Sequence, residues 1–369
     1  MTKSIRFDEL TWPEVAALPR ELPLVLTLGD CFESNSIGAA LGTEDWALLP
    51  ALPYGWEGSP ITIDQEVFTR FVSGVFEPLI EDGFQRLMLV SVEPLDCELP
   101  GVDCLQIEPQ KSLGPLPLLG SDRVVLIPTG HIEQHAYHLP LNTDTVIIAA
   151  IASAVAHAIP DQALALSVLP YGVSTHRRSF AGTFSVGGRV YEDFLLAVIE
   201  QLVSAGADRI YLLNGHGGNH SFLVDIVKYA GERFPHAFTA TSWLHTSGAI
   251  GSTALERYRR SARGGMGHAG ELETAMMLHL RPDLVHMERV VDETDFIASE
   301  MYYMDWIEGG ELIANPPWED DTRTGAYGAG SLATAEHGRL WLDAAIEEKI
   351  AHVQAVHEQQ NRRLARRGP

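Results

Sequence analysis

The stretch Val124-Val-Leu-Ile-Pro-Thr-Gly130-His131-Ile-Glu133-Gln-His135-Ala-Tyr-His138-Leu-Pro-Leu-Asn-Thr-Asp144 decides how the rest of the chain reads. It opens on an apolar run, Val124 to Pro128, that breaks at Gly130. A short aliphatic run closed by glycine predicts a buried strand ending in a loop. His131, Glu133, His135, His138 and Asp144 follow at once. So many ionisable groups at the end of a buried strand cost free energy unless something binds them. In open α/β sheets, ligands sit outside the carboxyl ends of the strands. A divalent metal held by imidazole and carboxylate is the economical explanation.

Two further stretches fit this reading. In Arg209-Ile-Tyr-Leu-Leu-Asn-Gly215-His216-Gly-Gly218-Asn219-His220, Ile210 to Leu213 predicts a second strand with a histidine straight after it. The glycines at 215, 217 and 218 let the backbone approach a ligand closely. His268-Ala-Gly-Glu271-Leu-Glu273 opens a helical run after the glycine-rich loop Ser261 to Gly267. Glu133, His135, Asp144 and His216 are the leading ligand candidates, and mixed imidazole and carboxylate donors suit zinc, manganese or iron(II) rather than calcium. His131, His138 and His220 read as groups that orient the ligands or lie at the surface. The Gly-His-Gly-Gly stretch lacks the Lys and Ser/Thr of a phosphate-binding P-loop. There is no G-x-S-x-G elbow and no cysteine near these histidines, which disfavours a serine or cysteine nucleophile.

With 369 residues, 46% hydrophobic and 20% charged, the chain has the makings of one or two globular domains. A formal charge of −23 disfavours nucleic acid and anionic membranes as partners. No apolar run approaches the ~20 residues of a membrane span, and the first residues lack the apolar core of a signal peptide. Cys31, Cys97 and Cys104 show no zinc-site spacing and read as reduced thiols, so a cytoplasmic location is expected.

The chain also repeats itself. Leu52-Pro-Tyr-Gly55 recurs as Leu169-Pro-Tyr-Gly172, and Ile61 to Ser91 aligns without a gap onto Phe184 to Asn214. Val67, Phe71, Val75, Leu79, Gly83, Arg86 and Leu89 fall on Val190, Phe194, Val198, Leu202, Gly206, Arg209 and Leu212. Spacings of three and four predict an amphipathic helix, then a glycine turn and a strand, hence βαβ units and a mainly parallel sheet. All 15 histidines lie at position 131 or later, so the first copy keeps the packing pattern without the ligands. Residues 1–115 are read as a metal-free half-repeat with a βαβ-like core, and residues 120–369 as the catalytic domain. Phe296 to Trp318, rich in aromatic residues, is a candidate lid or substrate wall, and Thr334 to His357 predicts a long helix.

Four ordered motifs carry a family resemblance. They are Gly130-x-x-Glu133-Gln-His135-x-x-His138-Leu-Pro-Leu-x-Thr-Asp144, Tyr171-Gly-x-Ser174-x-His176-x-x-x-Phe180-x-Gly-Thr183, Asn214-Gly-His-Gly-Gly-Asn219 and His268-Ala-Gly-Glu-x-Glu-Thr274. Together they resemble the creatininase (creatinine amidohydrolase) family over roughly Val124 to Leu284. The resemblance implies a three-layer α/β fold, one or two divalent ions with zinc first, and hydrolysis of a C–N bond in a small cyclic amide or formamide. It implies Glu133 and His216 on one metal, His135 on the other, and Asp144 between them. Creatininase has a second carboxylate two residues after the position of His216, where this chain has Gly218. Glu271 is expected to supply the missing ligand, and the departure argues against creatinine as substrate. Ala136 stands where the family usually has glycine. His268 is the expected proton carrier, with Glu271 or Glu273 as the alternative. His176 and Asn219, inside the motifs, are expected to contact a small-molecule substrate. A homo-oligomer is expected. The competing readings are a metallopeptidase trimming a short peptide and a non-catalytic binding or assembly protein.

Overall fold

The computed structural model describes residues 3–95, 98–113, 123–174 and 179–368. Strands β1 (Lys3–Arg6), β2 (Leu24–Thr27), β3 (Asp45–Leu48), β4 (Leu87–Ser91) and β5 (Val102–Gln106) form a first sheet in the order β1-β3-β2-β4-β5. Helices α1 (Trp12–Ala16), α2 (Ser34–Leu41) and α3 (Gln65–Glu81) belong to this half. The Asp64 carboxylate caps α3 by accepting the backbone N–H groups of Glu66 and Val67. Strands β6 (Val124–Thr129), β7 (Ala163–Ala165), β8 (Arg209–Asn214) and β9 (Phe238–Thr241) form a second sheet in the order β7-β6-β8-β9. Around it lie α4 (Thr143–Ala158), α5 (Gly188–Ser204), α6 (His220–Arg233), α7 (Ala249–Tyr258), α8 (Glu271–Leu280) and α9 (Ala335–Arg367). Every strand pairing in both sheets is parallel.

Alternation along the strands builds the layers. Val125, Ile127, Ile210 and Leu212 point into a core shared with the first sheet. Val124, Leu126, Tyr211 and Leu213 point the other way, into a core with Ile148 and Ile151 of α4, Met276 of α8 and Trp341 of α9. The second sheet is thus covered on both faces, the three-layer arrangement expected of a parallel sheet. The shared core also takes Leu24, Leu26, Leu87 and Leu89 from the first sheet, with Phe68, Phe71 and Val75 of α3 and Phe194, Val198 and Leu202 of α5. Helices α3 and α5 therefore lie between the two sheets. The Phe71 and Phe194 rings stack with centroids 3.9 Å apart and planes 26° apart. A Cβ added at Gly74 would lie 2.8 Å from the Val186 carbonyl oxygen, so only glycine permits this approach. Phe71 and Phe194 hold matching places in the sequence repeat, α3 and α5 are both 17 residues long, and β3-β2-β4-β5 runs in the same order as β7-β6-β8-β9.

In the N-terminal half the expected βαβ-like core extends to a five-stranded parallel sheet. Strands β3 and β5 are short, and exposed Asp45, Asp103 and Cys104 break their apolar pattern, so the sequence gives them no period to detect. Strand β9 stops at Thr241, because Ser242 and Trp243 turn into a loop. Helix α9 continues ten residues past His357, aided by pairs such as Arg362 on Glu358 at 3.1 Å. Among the described residues no helix is long and apolar enough to cross a membrane.

The shared core predicts that the two halves unfold as one cooperative unit. Phe71→Ala is expected to cost about 3–5 kcal/mol, and so is Phe194→Ala. Together they should cost less than the sum, because losing either ring already abolishes the stack. Denaturant unfolding followed by fluorescence should show one transition throughout; two separated transitions would show that the cores are independent.

Candidate metal centre

The register of β6 on β8 pairs Thr129 with Asn214, so the loops carrying Glu133, His135 and His216 leave the sheet side by side. Gly215 N–H donates to the Thr129 carbonyl at 2.9 Å and locks the two strand ends together. Gly130 has no room for a side chain, since a Cβ there would lie 2.6 Å from Thr145 Cα in the first turn of α4. That closeness brings Asp144, also in the first turn of α4, over the strand ends. The start of α8 brings Glu273, and the loop before it brings His268.

These side chains are buried together. Three imidazoles share one pattern of hydrogen bonds. His135 Nδ1 lies 3.1 Å from the Glu133 carbonyl, His216 Nε2 lies 3.0 Å from the Val173 carbonyl, and His268 Nε2 lies 2.7 Å from the Gln134 carbonyl. A carbonyl only accepts, so each of these nitrogens carries the proton and the opposite nitrogen offers a lone pair. All three lone pairs face carboxylates. His135 Nε2 is 3.3 Å from Asp144 Oδ1 and 3.8 Å from Glu273 Oε2. His216 Nδ1 is 2.9 Å from Asp144 Oδ2 and 3.2 Å from Glu133 Oε1. His268 Nδ1 is 3.6 Å from Glu133 Oε1 and 3.9 Å from Glu273 Oε2.

Donors about 2.1 Å from a common tetrahedral ion stand about 3.4 Å apart, and the separations here bracket that value. Buried His135 Nε2 makes no hydrogen bond among the described residues, a cost that an ion on its lone pair removes. Asp144 presents one oxygen to His135 and the other to His216, the arrangement of a carboxylate shared by two neighbouring ions. Burial alone would raise the Asp144 carboxyl, but positive charge at His135 and His216, which a bound cation would replace, holds it well below the usual carboxylate range. It is therefore ionised and ready to coordinate. The residues fit divalent metal: ligand atoms of His135, Asp144 and Glu273 lie within reach of one ion, those of His131, Glu133 and His216 and of Glu133, His135 and His268 form two further such groups, and His216 Nδ1 also faces Asp144.

Glu271 does not join them. Its carboxylate turns to the preceding loop and accepts the backbone N–H groups of Arg260 at 3.0 Å and Ser261 at 2.7 Å. Glu273, two residues on and roughly half a helical turn round, faces His135 instead, so the expectation of Glu271 as ligand or proton carrier gives way to Glu273. Gly218 is closed to any side chain, because a Cβ would lie 2.3 Å from the Val173 carbonyl and 2.5 Å from His216 Nε2. Asn219 braces the loops rather than facing a ligand. Its Oδ1 accepts from Val173 N–H at 3.0 Å, and its Nδ2 donates to the Gly130 carbonyl at 3.1 Å. His176 lies outside the described residues.

His131 stacks on His216 with centroids 4.3 Å apart and accepts the Gly172 N–H at Nδ1. Ser174 Oγ donates to Glu133 Oε2 at 2.9 Å. Sequence reading does not single out Ser174 and offers Glu273 only as an alternative proton carrier, although both lie inside the recognised motifs. Ala136 and Ala269, each directly following a site histidine in its loop, have φ of 57° and 50°. Left-handed backbone at a non-glycine residue is strained, and here it holds the histidine loops in their turns.

A cavity of about 610 Å³ opens beside the centre at Val173, Gly217 and Gly218. Trp243, Tyr302, Trp306, Leu312 and Trp318 form its walls, so part of Phe296 to Trp318 does line it. Trp318 also packs edge-on against His268, with centroids 5.0 Å apart.

A buried set of imidazoles and carboxylates at the carboxyl ends of parallel strands, next to a cavity, defines a metal-dependent hydrolase on an α/β fold. A family model described as creatininase, creatinine amidohydrolase, matches residues 117–353, and the chain belongs to the creatininase family. It is 30% identical over 236 residues to the mycofactocin precursor peptide peptidase of Mycobacterium ulcerans, covering 62% of this chain and 84% of that one. It is 28% identical over 246 residues to the creatinine amidohydrolase of Pseudomonas putida, covering 61% and 86%. The solved structure described as "Creatininase Mn" superposes with a TM-score of 0.54 at 24% identity, over 63% of this chain and 91% of that one, and shares the fold.

The carboxylates separate by substitution. Glu273→Gln should lower bound metal, whereas Glu271→Gln should keep the metal and lower thermal stability through the 260–261 loop. Elemental analysis of both variants decides it, and loss of metal from Glu271→Gln alone would reverse the assignment.

Burial also sets a pH dependence. Desolvation, with His135 adding to it, pushes His138 down to about 4. Desolvation and the nearby Lys349 push His245 down to about 4. Both histidines fold neutral while the unfolded chain protonates them near pH 6.5. Their contribution is complete above about 6.5 and is lost as the pH falls toward 4. Metal-stripped protein should therefore melt at progressively lower temperature over that window; a flat or rising midpoint would contradict it.

Proposed function

We propose that the chain hydrolyses the C–N bond of a small cyclic amide or formamide with a metal-activated water. The observation that carries this is the common orientation of His135, His216 and His268, each donating one N–H to a backbone carbonyl and aiming its other nitrogen at the carboxylate cluster. Divalent metal, zinc first and manganese or iron(II) next, supplies a hydroxide nucleophile near neutral pH and polarises the carbonyl. Asp144 and Glu133 hold negative charge at the centre, and Ser174 fixes the Glu133 carboxylate. His268 Nδ1 faces the cluster with its lone pair while its far side is anchored on the Gln134 carbonyl. It can take the proton of the attacking water there and return it to the departing amine. Trp318 against His268 and the aromatic walls beyond it keep bulk water off the reacting bond. Residues 120–369 carry the chemistry in this reading, and residues 1–115 carry none of the ligands.

One observation favours a second substrate class. The cavity lies within the range of about 300–1,000 Å³ that takes ligands much larger than one small ring. A short peptide with an apolar or aromatic residue beside the scissile bond would use that space, and the mycofactocin precursor peptidase is among the relatives.

The test is a screen of zinc- and manganese-loaded protein against cyclic amides, formamides and short peptides. Hydrolysis of at least one class should appear, vanish on chelation and return with metal. His268→Gln should lower kcat by about 10²–10⁴-fold at unchanged metal content. Stoichiometric metal with no hydrolysis of any class would favour a binding or assembly role.

A further inference from the structure

The N-terminal segment reaches the metal centre from outside the region that the family model covers. After β1, the chain leaves the first sheet and runs beside residues 141–142, immediately before α4. Leu141 N–H donates to the Leu10 carbonyl at 2.9 Å, and Asn142 N–H donates to the Asp8 carbonyl at 3.0 Å. The Asn142 side chain adds a third bond, Nδ2 to Asp8 Oδ2 at 2.9 Å. On the opposite side of this short run, the Leu141 carbonyl accepts the N–H of Glu133 at 3.0 Å. Residues 141–142 are thus held between the N-terminal segment and one ligand, and the next turn of α4 presents another, Asp144.

We propose that Asp8 is a positioning residue for the metal centre, acting through Asn142 to fix Asp144. Asp8 is buried, and its carboxylate also pairs with Arg6 at 3.2 Å. Asn142 occupies the N-cap position of α4, and its side chain makes no capping bond to the helix. The amide is engaged with Asp8 instead, so the first turn of α4 is oriented from the N-terminal half. Trp12 provides a parallel tie, its Nε1 donating to the Thr324 carbonyl at 2.8 Å while Gln134 Nε2 donates to the adjacent Gly325 carbonyl at 2.9 Å. A shift of a carboxylate shared by two ions would disturb both at once, so removal of the Asp8 contact is read most sensitively as metal affinity. Substitution of partners that orient ligands typically costs 10–100-fold in affinity.

The proposal rests on Asp144 being a ligand, and the experiment separates the two ideas. Zinc affinity of the full-length chain is measured by competition with a chromophoric chelator, with the melting temperature of each metal-free variant recorded beside it. Asp8→Ala and Asn142→Ala should each weaken zinc by about 10–100-fold, and the double variant no more than the worse single one. Arg6→Ala, which removes the outer ion pair alone, should bind as the natural chain does. Asp8→Asn keeps an acceptor for Asn142 and should retain affinity. Asn142→Asp sets two carboxylates face to face and should lose it, and combining these two changes should restore it. That pair keeps the test available should Asp8→Ala fail to fold. Wild-type affinity in Asp8→Ala, additive losses in the double variant, or no recovery in the exchanged pair would overturn the proposal. A lowered melting temperature at unchanged affinity would reduce Asp8 to a structural role. Absence of zinc binding by the natural chain would overturn the metal-centre reading itself.

Discussion

Three carboxylates and three imidazoles share one buried space at the ends of β6 and β8, and the rest of the molecule is arranged around holding them there. Charges and lone pairs so close and so buried repel or starve one another unless they share cations. Backbone carbonyls at Glu133, Val173 and Gln134 settle the matter by fixing which nitrogen of each histidine carries the proton. Everything that looks extravagant nearby serves those carbonyls: left-handed alanines at 136 and 269, glycines pressed to contact at 130 and 218, and Asn219 cross-bracing two loops.

Much of this was legible in the sequence because it is local. The runs before Gly130 and Gly215 are apolar enough to be strands, and ligand-type side chains follow each directly. The repeat was legible for the same reason, its helix being written in spacings of three and four. What the sequence did not decide was direction. Glu271 and Glu273 open the same helix, and only the azimuth of α8 settles which of them faces His135. Asn219 looked like a hand offered to a ligand, yet both ends of its amide are taken by backbone from other loops. The short strands β3 and β5 carried no period, and the ties from Asp8 and Trp12 join residues more than a hundred positions apart.

The two halves divide labour unevenly. The first keeps the strand order and the helix length of the second, but none of the histidines. Its sheet still shares a core with the catalytic half, and its first strand leads into the segment that braces residues 141–142. The first half places none of its side chains in the ligand cluster, and it touches residues 141–142 through the Asp8 and Leu10 carbonyls and the Asp8 carboxylate.

The stacked rings of Phe71 and Phe194 have a consequence for the chain during its synthesis. The two positions are 123 residues apart. At translation rates of about 5–20 residues per second, the face of α3 waits on the order of 6–25 s for the helix that covers it. Through that interval Phe68, Phe71, Val75 and Leu79 have no native partner from α5, and the parallel strands of the first sheet already present open edges. The same geometry that welds the finished halves together therefore leaves the apolar face of α3 uncovered in the half-made chain until α5 has been synthesised.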